Sequence, residues 1–158
     1  MNEIERMQNN LLLIRRAVGW TAEEFGERIG VTRQTINNIE NRRNKLTKTQ
    51  YIAMRSVLDA EMVRVPEETE MLRTLLEILV DNPDKYSESE CHKVLQKANM
   101  VAPAILSGAS TRKEVSKEWI SAAATLGSLI PFIGAISAAL PIIGGTWLRK
   151  SIEEKKNK

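Results

Sequence analysis

The stretch from Thr21 to Asn41, TAEEFGERIGVTRQTINNIEN, decides how this chain is read. Thr21 with Glu24 three residues on has the form of a reciprocal helix start, and Trp20 and Phe25 flank it as a hydrophobic staple. Gly30, Val31 and Thr32 then interrupt the helical spacing before Ile36 and Ile39 resume it. Two short helices joined by a three-residue turn follow from that pattern. Gly30 supplies a positive-φ corner, Gly26 leaves room for a close crossing, and Thr32 caps the second helix. Ile29, Val31, Ile36 and Ile39 face inward, which leaves Arg33, Gln34, Asn37 and Asn38 outward.

That outward face consists of side chains able to read base edges: arginine can fork onto guanine, and glutamine or asparagine onto adenine. Asn37 and Asn38 are read either as base contacts or as plain solvated polar residues. Upstream, Leu11, Leu12, Ile14 and Val18 form one face of a first amphipathic helix, ended by Gly19. Downstream, the stretch Arg28–Lys48 holds six bases (Arg28, Arg33, Arg42, Arg43, Lys45 and Lys48) against the single acid Glu40. This is a local basic patch.

Taken together, the residues from Leu11 to about Leu58 resemble the Cro/CI (XRE) helix-turn-helix family. The segments that carry the likeness are the stretch from Leu11 through Phe25 and GVTRQTINNIEN, residues 30–41. The resemblance implies an all-α fold with a five-helix N-terminal domain and a double-stranded DNA operator as partner. By the same resemblance, Arg33, Gln34 and Asn38 would contact bases. Asn41, Arg42, Arg43 and Lys45 would hold phosphates, and the helix start at Thr21 and Ala22 would offer amides to another. Thr32 and Asn37 complete the expected DNA-contact set. Arg15 and Glu40 match a buried structural ion pair of the family. Many members carry glutamine where this chain has Ala22, so one anchor to DNA is missing here.

The formal net charge of +3 hides three segments: +3 over 1–64, −3 over 65–118 and +3 over 119–158. Val65-Pro66-Glu67-Glu68 closes the first domain at about residue 65, because proline disfavours helix at the residue before it. Residues 66–118 read as a helical connector. Its first helix, about Glu67 to Asn82, carries Met71, Leu72, Leu75, Leu76 and Leu79 at helical spacing and should pack on the first domain or on a second copy of the chain, which makes it a candidate dimer interface. Further cap patterns at Thr47 and Gln50, Ser87 and Glu90, and Thr111 and Glu114 mark later helix starts.

From Trp119 to Leu148 there is no charged side chain, and a basic tail follows over 149–158. The run exceeds the roughly 20 apolar residues that a span needs, and Trp119 and Trp147 sit near its edges, where interfacial aromatics belong. The expectation is a membrane-lipid anchor for a cytoplasmic DNA-binding domain, as a single span or as a shallow hairpin bent at Pro131, Gly134 or Pro141. Arg149, Lys150, Lys155, Lys156 and Lys158 oppose a single span by the positive-inside bias. A soluble oligomerisation core and a membrane-active effector are the competing readings. On this division, deleting everything after Glu118 removes no residue assigned to DNA contact.

Nothing suggests an enzyme: the chain has no glycine-rich phosphate loop, no nucleophile paired with a base and no metal-ligand spacing. No cofactor or metal is expected. Cys91 stands alone, with His92 beside it, and reads as a simply buried thiol in a reducing compartment rather than a redox or nucleophilic pair. The functional expectation is a sequence-specific transcriptional regulator, a repressor acting as a homodimer, since one short recognition helix reads only a few base pairs.

Overall fold

The computed structural model describes residues 1–125 and 147–148, and among these it is built of helices alone. In order they are α1 (Glu3–Val18), α2 (Ala22–Ile29), α3 (Arg33–Glu40), α4 (Lys48–Arg64), α5 (Glu70–Leu76), α6 (Glu88–Leu106) and α7 (Arg112–Thr125). A 3₁₀ turn at Pro66–Glu68 leads into α5, which runs on as a π-helical turn over Glu77–Asp81. The all-α class is as read. Four α-helices lie before Val65, and the fifth follows the proline turn.

Local chemistry sets the boundaries. Thr21, Thr47 and Ser87 each accept from the amide three residues on, while Glu24, Gln50 and Glu90 reach back to the cap N–H. Thr111 and Glu114 exchange the same pair of bonds. These reciprocal bonds satisfy donors a helix start otherwise leaves orphaned. Gly19 and Gly30, at φ of 79° and 75°, end α1 and α2 in the left-handed region. Gly26 is needed for space instead: a Cβ there would lie 2.6 Å from the Val31 carbonyl oxygen.

Two hydrophobic clusters share their walls. Met7, Leu11, Ile14 and Val18 of α1 face the first, with Phe25, Ile36, Ile39, Tyr51, Met54 and Leu58. Leu13 and Ala17 face the second, with Val94, Ala98, Ala102, Val115 and Trp119. The α5 segment is split in the same way, with Leu72, Leu76 and Val80 on one side and Met71, Leu75 and Ile78 on the other. A helix apolar on opposite faces belongs in an interior. All seven residues of α5 are buried. Of the two packings expected for this helix, on the first domain or on a second copy, the structure has the first: its apolar faces are buried inside its own chain, and residues 66–118 pack into the body that carries α1 to α4.

The apolar run receives a different account. Trp119 is buried in the second cluster, its indole N–H directed at Thr74 Oγ1 at 3.4 Å. Trp147 is buried in the first, where its N–H donates to Asp59 Oδ2 at 2.6 Å. Neither tryptophan stands at a bilayer interface: each fills a cavity among helices and finds a polar partner, as a buried indole must. Among the described residues no helix is long and apolar enough to cross a membrane. Residues 126–146, on which the anchor expectation rests, lie outside the described residues.

Candidate nucleic-acid interface

The second helix of the pair is presented by its neighbours. Ile36 and Ile39 are fully buried where α3 packs on α2 and α1, which turns the opposite face of α3 to solvent. Thr32 caps α3, accepting from the Thr35 amide at 3.1 Å. Arg33 and Gln34 are exposed on its first turn, and Asn37 and Asn38 are half-buried one turn on. Gln34 Nε2 donates to Asn38 Oδ1 at 3.0 Å, so the two amides already lie side by side on the outer face.

Below α3 the chain turns sharply. Arg42 adopts φ of 57°, the one non-glycine residue in the left-handed region among the described residues. The Arg43 and Asn44 amides both return to the Asn38 carbonyl, at 2.8 and 3.2 Å. The turn displays Asn41, Arg42, Arg43 and Lys45, all exposed. Asn41 itself is partly engaged, donating to the Asn37 carbonyl at 2.8 Å.

A residue that the sequence reading left out holds this turn in place. Gln8 of α1 donates to the carbonyls of Ile39 (3.0 Å) and Asn44 (2.7 Å), and its oxygen accepts from the Leu46 amide at 3.1 Å. One side chain thus clasps both ends of the basic turn. No spacing rule reveals this, because Gln8 lies more than 30 residues from its partners.

Arg15 and Glu40 form the expected pair. Arg15 Nε meets Glu40 Oε1 at 2.5 Å, Nη2 meets Oε2 at 3.0 Å, and Nη1 donates to the Trp20 carbonyl at 2.9 Å. Both side chains are largely hidden from solvent. The electrostatic consequence reaches the surface: the single acid of the Arg28–Lys48 stretch is neutralised inside, and the positive field around α3 is left without its negative member. Arg28 lies over the Trp20 ring at 4.1 Å and donates to the Glu24 carbonyl.

At the start of α2, Thr21 is exposed but its N–H already donates to the Glu24 carboxylate at 2.7 Å, and Ala22 is buried. Those bonds hold the Glu24 carboxyl below its usual range. A phosphate at this end would rely on the amides after Thr21. Among the described residues no cluster of ligating side chains could hold a metal ion, and Cys91 is half-buried with its thiol pushed up by burial.

Comparison with known proteins agrees with this geometry. Residues 11–63 match the family model described as helix-turn-helix. The chain is 32% identical over 57 residues to the antitoxin HipB of Escherichia coli (strain K12), an alignment covering 36% of this chain and 65% of the antitoxin. No solved structure gives a significant match. By its motif, its helices and this match, the segment 11–63 is similar to DNA-binding helix-turn-helix domains of the Cro/CI type.

Proposed function

We propose that the chain is a sequence-specific DNA-binding regulator that lays α3 in the major groove of an operator and acts as a repressor by occupying it. One observation carries the reading: Arg33 and Gln34 stand exposed on the first turn of a helix whose other face is locked into the core. In this reading Arg33, Gln34 and Asn38 read bases, Asn37 lies beside them, and Asn41, Arg42, Arg43 and Lys45 grip phosphates with help from the starts of α2 and α3. The antitoxin likeness extends over 57 residues and supports a DNA-binding regulator; no toxin partner follows from it. Two copies would read two half-sites about one helical turn apart. Selection from a random duplex pool, followed by footprinting, tests this. A recurring sequence protected as two spaced half-sites is expected, whereas no enrichment over random duplex would refute it.

A finer part of the reading concerns lipid. The uncharged residues 126–146 followed by five bases in 149–158 support contact with an anionic membrane surface from the cytoplasmic side. Twenty-one residues are too few for two crossings of about 20 each.

A further inference from the structure

All three tryptophans are buried, and two of them donate a hydrogen bond, Trp119 towards Thr74 and Trp147 to Asp59. The third is an exception. Trp20 is only 6% exposed, yet its indole N–H reaches no acceptor among the described residues. A hidden indole donor left unmatched is costly, and it marks a place where an acceptor from outside the chain would be stabilised.

Trp20 forms one wall of a cleft of about 270 Å³ where the helix-turn-helix meets the later helices. Val18 and Gly19 border it from the end of α1, Glu61 and Arg64 from the last turns of α4, and Ile105 and Arg112 from α6 and α7. A second lobe of about 250 Å³ continues over Val57 and Ala60 and shares Trp20, Arg28, Glu61 and Arg64 with the first. Each lobe is smaller than the roughly 300–1,000 Å³ of a site for a drug-sized molecule, so the fitting occupant is small.

The donors and acceptors lining this cleft do not balance. Both carboxylates are taken: Glu24 accepts from the Thr21 N–H at 2.7 Å, and Glu61 from Arg64 at 2.7 and 2.9 Å and from Arg112 at 2.8 Å. Arg112 is spent too, since it also holds Glu68 at 2.8 Å and the Val18 carbonyl at 2.9 Å. Arg28 has capacity left. It lies over the Trp20 ring at 4.1 Å and donates to the neutral Glu24 carbonyl at 3.0 Å, while no carboxylate pairs with it among the described residues. Arg64 engages Glu61 through Nε and Nη2, which leaves Nη1 without an acceptor. A guanidinium carries five N–H donors, so the excess in the cleft is of cationic donors, set beside an apolar wall of Trp20, Val57 and Ala60.

We propose that this cleft binds a small carboxylic acid with an apolar body. Its carboxylate accepts from Arg28 and from the Trp20 N–H, with the remaining Arg64 nitrogen as a further donor, and its body lies against Val57 and Ala60. The planar fork of a guanidinium matches a carboxylate, whereas an inorganic anion would leave the apolar lobe unfilled. Bound there, the acid bridges α2 to α4, a role separate from DNA contact by α3.

Isotope-labelled full-length protein is titrated with phenylacetate, and in parallel with the neutral phenylacetamide, while nuclear magnetic resonance follows the three indole N–H signals. Trp20→Phe, Trp119→Phe and Trp147→Phe assign them. The Trp20 signal is expected to shift saturably with millimolar phenylacetate while those of Trp119 and Trp147 stay in place, and phenylacetamide to bind about tenfold more weakly. Arg28→Gln removes the fork, and Ala60→Phe fills the apolar lobe from an exposed position; each weakens phenylacetate binding by about tenfold. Lys93→Gln, an equal charge change at an exposed position on α6, leaves binding as in the parent. No saturable shift of Trp20 at tens of millimolar, equal binding of the amide, or parental binding by Arg28→Gln or Ala60→Phe overturns the site.

Discussion

Arg15 on α1 and Glu40 at the end of α3 meet fork to fork, 25 residues apart in sequence and largely shielded from water. The pair fixes the far end of α3 to α1, and Gln8 fixes the turn beyond it.

Breaking that pair on one side strands a buried charge. Glu40→Ala is expected to destabilise by about 3–5 kcal/mol, whereas replacing both partners with apolar residues of similar volume costs much less. Urea unfolding of the two variants checks this. Equal losses would mean the Arg15 guanidinium reaches water when its partner is removed.

Truncation after Glu118 removes no residue assigned to DNA contact, yet it reaches the folded body. The cut removes Trp119 and Trp147 from two cores and takes the indole donor from Asp59. Losing a buried tryptophan alone costs about 3–5 kcal/mol. The truncated protein is expected to melt well below full length by circular dichroism; an unchanged melting temperature would contradict the packing described.

Arg42 occupies a backbone region that costs a side-chain-bearing residue about 1–2 kcal/mol. Glycine avoids that strain but gains about 0.5–1 kcal/mol of unfolded-state entropy. Arg42→Gly is thus expected to be as stable as the parent or slightly more so, while its affinity for any duplex falls and the salt dependence of binding decreases by about one unit. A less stable variant with unchanged salt slope would remove Arg42 from the phosphate contacts.

Two buried carboxylates pull the acid response in opposite directions. Glu61 accepts from Arg64 at 2.7 and 2.9 Å, and Arg112 reinforces this, so its carboxyl lies below its ordinary 4.5. The stability from those bonds is present above that value and lost as pH falls beneath it. Burial raises Asp59 from 3.8, so the native state keeps its proton to higher pH than the unfolded chain, and acidification through that window relieves a cost. Melting temperatures between about pH 6 and pH 3 should therefore fall less steeply in Glu61→Gln than in the parent, and more steeply in Asp59→Asn. The reverse order would contradict the assignments.

Much of the interface was legible because its signals are local. Cap pairs lie three residues apart, Gly30 marks a corner, and Ile36 with Ile39 sets which way Arg33 and Gln34 face. The box formed by Asn2 and Glu5 at the start of α1 obeys the same rule and was there to be read. What escaped depends on long-range contact. The clasp by Gln8 spans more than 30 residues, and the strain at Arg42 leaves no compositional mark. Leucine spacing on α5 announces burial without naming the partner surface, and both α1 and α6 supply it. A tryptophan at the edge of an uncharged run suits a bilayer or a core equally well. Thr74 and Asp59, 45 and 88 residues away, make the difference.

The most direct test of the central claim is a paired titration of Gln34→Ala and Arg43→Ala on the selected operator and on a scrambled duplex, across a series of salt concentrations. The account predicts that Gln34→Ala loses about 1–3 kcal/mol on the operator alone, with its salt slope unchanged. Arg43→Ala should weaken both duplexes alike and lower the slope by about one unit. Equal loss on operator and scrambled DNA for Gln34→Ala would contradict the assignment of the exposed face of α3 to base reading.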